Sequence, residues 1–486
     1  SLFDSPAERY MKARWSVQHF TVTQLGKCCS DMAKFPEKCL SFRRYVVHSY
    51  NFFLFPSTLG ITDVEFCFSA SSIQFLSHYG FDYNKFLKDG IPYMNEVQEK
   101  ILSQHLSASS WKHSSSLDRD VLKKAIDKVT CWIAAAEEEE TMILQDLSGY
   151  QMFEVQLVLR RALQNVWTQP LGGKKIIVKK VSPQHRQLLE NSRYDCCQKE
   201  LILLSARGFT NLFQTLVRAK KPLVGHNMLM DLMHLHDKFY KPLPESYEEF
   251  KRNIHNLFPV LIDTKTVTKS IWKKFPFPRV SNLLEAYTIL CSSNVSLKDP
   301  TCPVIALASD CSRYAEKKSP HEAGYDAFLC GSGKILLKYF RGWAGIWQFL
   351  SCSVAPCYAK NDAVEAVPSF SQYLTVLAKY LNKVNFIRGG VSSINFSGED
   401  TPCRHPPLLV VHVQGWPEVN ERQICQQFKA ICRFDVRRLS KNQFILLSNK
   451  FKHVRSVLRD FKDHPHLRIS VYRHWRHSPH VNCLLR

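Results

Sequence analysis

Gly225-His226-Asn227-Met228-Leu229-Met230-Asp231 and, further along, His321-Glu322-Ala323-Gly324-Tyr325-Asp326 are the stretches from which the fold and chemistry of this chain are read. In the first, a short apolar strand from Pro222 to Gly225 runs into a helix from Met228 to Tyr240, so Asp231 can face a cleft at the strand's C-terminal end. Taken alone, an Asp there is equally a helix cap. In the second, a helix beginning near Glu322 turns Asp326 inward and leaves His321 on the mobile turn before it. An anchored carboxylate and a movable imidazole suit phosphodiester hydrolysis: Asp carboxylates hold two Mg²⁺ ions on the scissile phosphate while a His takes a proton from the attacking water. Such a site also needs an Asp-x-Glu pair on the first strand of the fold, and the sequence, opening at Ser1, is expected to begin after that strand.

Around these stretches strands and helices alternate, which argues for an α/β core. Segments rich in Val, Phe, Tyr and Leu from Phe20 to Gly26 and from Tyr45 to Phe55 predict neighbouring strands. Ser71 to Tyr79 and Leu201 to Ala219 predict helices, with turns at Phe81 to Asn84 and Asp89 to Pro92. Residues 118 to 140 read as a helix ending in a solvated run, Glu137 to Glu140. Ser148 to Trp167 reads as an amphipathic helix before a strand at Ile176 to Val178. The expected organisation is a core in two parts, 1–116 and 191–345, a small inserted α/β domain at 117–190, an irregular linker at 346–405, and a β-α-β-β-α-β domain at 406–476.

That last domain is predicted from strands at Leu408 to Val413, Phe434 to Leu439, Phe444 to Leu447 and Leu467 to Tyr472, with helices at Asn420 to Cys432 and His453 to Phe461, the order of an RNA-recognition motif. Between Arg433 and Arg476 stand 12 Lys and Arg against three Asp, so Arg437, Arg438 and Lys441 are candidates for RNA phosphates. Phe444 is the one aromatic of the third strand and the candidate for base stacking.

Composition narrows the class. With 45% apolar residues over 486 positions the chain can bury several cores, which excludes a disordered protein. A formal charge of +22 favours a polyanionic partner, nucleic acid first, because neutralised phosphates release counterions. The 17 Cys stand at irregular spacings without a secretory signal, and neither the vicinal pairs Cys28-Cys29 and Cys196-Cys197 nor Cys352 and Cys357 have partners spaced for tetrahedral zinc, so reduced thiols are expected. The uncharged run Gly342 to Ala359 is diluted by Gly, Ser, Gln and Pro and is expected to be buried or irregular rather than membrane-spanning. His234 and His236, two apart on a helix, point about 200° apart and cannot share an ion.

The segments Ser71-Ser72-Ile73-Gln74-Phe75-Leu76, Gly90-Ile91-Pro92-Tyr93-Met94-Asn95, Gly225-His226-Asn227-Met228, Leu261-Ile262-Asp263-Thr264-Lys265 and His321 to Asp326 together resemble the poly(A)-specific ribonuclease family of DEDDh exonucleases. Pro242 to Tyr247, Phe386 to Gly389, Ile394 to Gly398 and Tyr472 to Pro479 are similar to its piRNA-precursor-trimming branch. The resemblance implies a ribonuclease-H-like fold and 3′-to-5′ hydrolysis of single-stranded RNA with two Mg²⁺ ions, Mn²⁺ being the substitute. By the same resemblance Asp231 is similar to the third metal carboxylate, Asp326 to the fourth, His321 to the general base, and Lys265 to a basic residue near the substrate path. The implied partners are single-stranded RNA, a Tudor-domain adaptor and a second copy of the chain. The implied location is the cytoplasm, the surface of mitochondria or endoplasmic reticulum in a full-length form, with the nucleus as an alternative.

Three departures accompany the resemblance. The family's opening Asp-x-Glu is missing, and Asp63-Val64-Glu65-Phe66, which imitates it, falls where the family has a peripheral loop. The family's Arg-x-x-x-His signature is not found in the inserted region. The resemblance implies a membrane-spanning tail just after Leu485, and none is expected in this sequence. The expectation is therefore an exoribonuclease that binds metal weakly and cleaves little, with a catalytically silent RNA-binding or scaffold form as the alternative.

Overall fold

The computed structural model describes residues 3–32, 44–57, 64–108, 116–147, 151–171, 175–191, 200, 203–272, 282–292, 304–332, 377–387, 391–402, 406–416, 418–432, 434–448, 450–478 and 481. The helix Pro6–His19 opens the fold. Ser5 caps it by accepting the Glu8 amide at 3.1 Å, while the Glu8 carboxylate accepts the Ser5 amide at 2.7 Å, so two end groups of the helix are satisfied at once. Its buried Tyr10 stacks on Phe250 at 4.9 Å and donates its hydroxyl to the Pro244 carbonyl at 2.6 Å. Helix and core are thereby joined by one apolar and one polar contact.

Two strand systems carry the core. Gln24–Met32 pairs antiparallel with the long strand Arg44–Pro56, which also takes Ile91–Tyr93 at one end and Val304–Leu307 at the other, both parallel. Separately, Leu223–Gly225 and Leu261–Asp263 pair parallel, with Gly225 opposite Asp263, so both strands end at one level. The helices Leu229–Leu235 and Tyr247–Leu257 lie between them in sequence, as a parallel crossover requires. Among the described residues, Gln24–Met32 and Leu223–Gly225 each pair along one edge. Tyr10, Phe209, Phe213, Met228, Leu232, Phe239, Phe250 and Phe396 form the buried centre beneath.

Several expectations shift for local reasons. The first strand lies at Gln24–Met32 rather than ending at Gly26, and the expected turns near residue 84 and at 89–92 are the helix Tyr83–Asp89 and the strand Ile91–Tyr93. The helix expected from Leu201 breaks at Gly208, where φ is +46° and a side chain would meet the Pro92 carbonyl oxygen at 2.2 Å. The helix expected from Met228 to Tyr240 widens into a π turn at His236–Tyr240. There the buried His236 lies 2.8 Å from the Lys241 carbonyl through Nδ1 and 3.1 Å from the Asn253 amide through Nε2, so its ring is used structurally and not as a metal ligand. The linker expected at 346–405 is corrected in part: within it the strands Lys383–Asn385 and Ser393–Asn395 pair, and Val384, Phe386, Ile394 and Phe396 enter the central apolar cluster. The run from Gly342 to Ala359 and Asp63 lie outside the described residues, and no described helix is long and apolar enough to cross a membrane.

Residues 116–190 build a separate apolar cluster from the helices Ser116–Ala135 and Gln151–Ala162 and the strands Thr141–Leu144, Val166–Leu171 and Lys175–Lys180. Val166 and Trp167, expected at a helix end, belong to a strand. The Trp167 ring is buried under the Arg160 guanidinium at 3.6 Å, and Arg160 also donates to Thr168. Glu139 forms an ion pair with Lys179 and lies in hydrogen-bond contact with His185 Nδ1 at 3.0 Å, so this part of the acidic run is tied to neighbouring side chains.

The C-terminal unit has helices at Glu421–Gln427 and Phe451–Asp460 against a sheet ordered Asp435–Arg438, Gln443–Leu447, Leu409–Val413, Leu467–Val471. Phe428, Phe444 and Val457 are fully buried between the two layers.

Phe250 touches Tyr10, His236 and Phe396 and is fully buried. Phe250→Ala is expected to cost about 3–5 kcal/mol, read as a fall in the urea midpoint of the core transition; a loss under about 1 kcal/mol would contradict this packing.

Candidate active site

Gly225 and Asp263 end adjacent strands, and the chain leaving Gly225 must turn at once to start its helix. Asp263 makes that turn by accepting four backbone N–H groups: Asn227 at 2.9 Å, Met228 at 3.3 Å, Lys265 at 2.9 Å and Asn385 at 2.8 Å. Burial pushes its carboxyl up and the four amides pull it down. Asn227 sits in the left-handed region at φ +61°, a conformation Asn tolerates better than most residues. Thr264 donates to the Gly225 carbonyl at 3.0 Å, which leaves its oxygen to accept the His226 Nδ1 hydrogen at 2.9 Å. Burial and the Lys265 charge hold His226 down at about 4, so that ring is neutral at physiological pH.

The loop delivers Asp231 to the first turn of Leu229–Leu235. Its side chain is open to solvent, yet surrounding protein raises its carboxyl, the combination expected of a group on a cleft wall. Asp326 is carried on the helix at 323–332. That helix lies so close to Gln24–Met32 that a side chain at Gly26 would meet the Ala323 carbonyl oxygen at 1.8 Å, and one at Gly324 would meet the Tyr314 hydroxyl at 2.5 Å. Gln24 and Asn51 accept the first amides of the helix, from Ala323 at 3.0 Å and Gly324 at 3.1 Å. Asp326 is half-buried and its carboxyl is raised by burial, with the His321 amide and charge opposing.

The thiol of Cys330, buried one turn beyond Asp326, is pushed up by burial first and then by the charges of Asp326, Asp231 and Asp263, so all three carboxylates act on this one group. His321 occupies the turn before Asp326 at φ +67° and donates its amide to the Asp326 carboxylate at 3.4 Å. The ring is exposed and lies edge-on to Tyr79 at 4.3 Å and Phe75 at 5.0 Å. Phe75 also lines a groove of about 360 Å³ with Phe20, Thr21, Thr23 and Ser72. Lys265 is half-buried at the foot of the His226 turn.

Of the sequence candidates, His321 and Asp326 are in contact, Asp231 and Asp326 both act on Cys330, and the Lys265 amide bonds Asp263. Asp231 and Asp326 offer only hard oxygen donors, which suit a divalent cation such as Mg²⁺ or Mn²⁺. Among the described residues no group of three His, Cys, Asp or Glu side chains is arranged to hold a metal ion. The C-terminal candidates lie elsewhere. Phe444 is fully buried inside its own core, a correction to the stacking role, because its ring has no face for a base. Arg438 is tied to Val419 and to Glu421 at 3.4 Å, Arg437 lies over the Phe3 ring at 5.1 Å, and Lys441 is exposed. Sequence reasoning missed Asp263 as the organiser of the loop, although an Asp between an apolar strand and a helix start is a recognisable cap position.

Residues 1–333 match the CAF1 family ribonuclease profile. The poly(A)-specific ribonuclease PNLDC1 of Mus musculus is 55% identical over 488 residues, covering 100% of this chain and 88% of the mouse protein. Its Homo sapiens counterpart is 54% identical over 490 residues, with 100% and 90% covered. The pre-piRNA 3′-exonuclease trimmer of Bombyx mori is 29% identical over 488 residues, with 98% and 86% covered.

Because burial raises the carboxyls of Asp231 and Asp326, their ionised forms cost stability above the folded values, and the cost vanishes below the ordinary carboxylate range, where folded and unfolded forms are both protonated. Asp231→Asn and Asp326→Asn are thus expected to raise the calorimetric midpoint at neutral pH in the absence of divalent ions, the gain shrinking toward about pH 3. A lowered midpoint at neutral pH is the contrary result.

Proposed function

Since the chain belongs to the CAF1 family of ribonucleases, we infer that it is a 3′-to-5′ exoribonuclease that shortens single-stranded RNA, piRNA precursors among its substrates. The observation that supports this at the level of residues is the contact of a solvent-facing His321 with Asp326, together with the shared influence of Asp231 and Asp326 on Cys330.

His321 is the group that takes a proton from the attacking water. Its backbone is fixed to Asp326, while its imidazole stands free of hydrogen-bonded partners among the described side chains and is steadied by Phe75 and Tyr79. Asp231 and Asp326 are the carboxylates that would hold divalent cations. Such cations, when bound, supply charge neutralisation at the phosphate and a more acidic water. Lys265 faces the phosphates as a point charge. Phe75 and its groove offer an apolar surface to a base near the RNA end.

The C-terminal unit follows the β-α-β-β-α-β order expected of an RNA-recognition motif, which supports its reading as an RNA-binding part. With Phe444 inside the core, the C-terminal sheet contributes phosphate contacts through Lys441 and Arg437 rather than stacking. A binding-only reading rests on one observation: the described residues bring two carboxylates to the cleft, fewer than two-ion chemistry uses.

5′-labelled single-stranded RNA with Mg²⁺ or Mn²⁺ separates the two. Progressive shortening from the 3′ end is expected, with His321→Ala slower by about 10²–10⁴-fold at unchanged RNA affinity. Retained RNA binding with no shortening by the wild-type chain or by Asp326→Ala leaves the binding-only reading.

A further inference from the structure

Asn385 lies beyond the residues matched to the family profile, which end at 333, yet its side chain reaches the acidic loop of the cleft. It is 1% exposed. Its backbone N–H donates to Asp263 at 2.8 Å, its Nδ2 donates to the Asn227 side-chain oxygen at 2.6 Å, and its Oδ1 accepts the Lys269 ammonium at 2.5 Å. The Lys269 contact decides the orientation of the amide: an oxygen must face the ammonium, so the NH₂ must face Asn227. The side-chain NH₂ of Asn385 is therefore the group directed at the turn that leads to Asp231, while its backbone N–H meets Asp263 and its oxygen meets Lys269.

The strand that holds Asn385 is itself fastened to the end of Leu261–Asp263. Asn382 accepts the Leu261 amide through its side chain at 2.8 Å, donates its own amide to the Leu261 carbonyl at 2.9 Å, and donates Nδ2 to the Pro259 carbonyl at 2.9 Å. Val384 and Phe386, on either side of Asn385, are buried with Met228 and Leu232 in one apolar cluster. The pair Lys383–Asn385 and Ser393–Asn395 thus closes over the turn from behind, in a segment whose sequence reads as linker.

We propose that Asn385 is a positioning residue of the exonuclease site: through its amide it holds Asn227 in the left-handed turn and so sets where Asp231 presents its carboxylate to a divalent cation. The proposal rests on Asp231 being part of that site. Asn227 pays for no strain if it is Gly, but Gly has no oxygen for Asn385 to hold, so the turn would keep its shape on average and lose its fixed position. Hydrogen bonds of this outer kind alter metal affinity by about 10–100-fold when removed.

The test is Mn²⁺ affinity by isothermal titration on the full chain, with RNA affinity by filter binding and the Mn²⁺ dependence of trimming measured beside it. Asn385→Ala is expected to weaken Mn²⁺ binding about 10-fold and raise half-saturating Mn²⁺ for trimming by a similar factor, with RNA affinity unchanged and the rate recovering in excess Mn²⁺. Asn227→Gly, which leaves the buried strand untouched, is expected to weaken Mn²⁺ similarly, and the double variant to be no worse than either single one. Should Asn385→Ala fail to fold, Asn227→Gly alone decides: wild-type Mn²⁺ affinity and half-saturation in that variant overturn the proposal. Additive losses in the double variant also overturn it. Asp231→Asn is the control for the underlying reading: if it binds Mn²⁺ and trims as wild type, the site assignment falls, whereas a dead Asp231→Asn with unaltered Asn385→Ala and Asn227→Gly removes the positioning role only.

Discussion

The Asp263 carboxylate is the interaction on which the cleft depends. Its two oxygens, 1% exposed at residue level, take hydrogen bonds from four amides in three segments: the turn before Asp231, the start of Thr264–Trp272, and the strand at Asn385. Each amide left unpaired in that interior would cost about 1–3 kcal/mol, so these segments cannot move independently of one another. A burial that raises the carboxyl is tolerated because the amides offset it. Asp263 touches no substrate in this account, and yet it fixes the level at which Asp231 enters the cleft.

The start of the Asp326 helix is fixed by absence of bulk. Gly26 lets the helix at 323–332 lie against the sheet, and Gly324 lets its first turn pass under Tyr314. The cost of entering that helix so abruptly falls on His321, held at φ +67°. A left-handed non-glycine residue is disfavoured unless its surroundings over-determine it, and here the Asp326 carboxylate, Phe75 and Tyr79 do so. The Asp231 turn is thus set by a buried polar hub and the start of the Asp326 helix by close backbone contact.

How much of this was legible depended on whether the signal was local. The H-x-x-x-x-D spacing and the strand-then-Asp pattern are local, and they led to His321, Asp326 and Asp231. The C-terminal β-α-β-β-α-β order was legible because two of its strands, Leu409–Val413 and Gln443–Leu447, are short apolar runs set among polar and charged segments. The side of the sheet that Phe444 faces was not, because Gln443, Phe444 and Ile445 alternate only against partners across the sheet, and Val411 opposite Phe444 is a core residue. Helix Pro6–His19 carried a local signal that was passed over, Ser5-Pro6-Ala7-Glu8, which is a capping box with Pro at its first position. Asn385 had no local signal. Its importance comes from pairing across more than a hundred residues, and nothing in Lys383-Val384-Asn385 announces a buried amide.

Asp231 and Asp326 are proposed to address the same divalent cation. Fe²⁺ substituted for Mg²⁺ in the presence of ascorbate and peroxide cuts the backbone nearest the bound ion, and sequencing of the fragments reads the site without any substrate turnover. Cuts confined to the turns at 225–231 and 321–326, suppressed together by Asp326→Asn, are the predicted result. Cuts at only one of the two turns, or concentrated in the His-rich C-terminal unit, would contradict it.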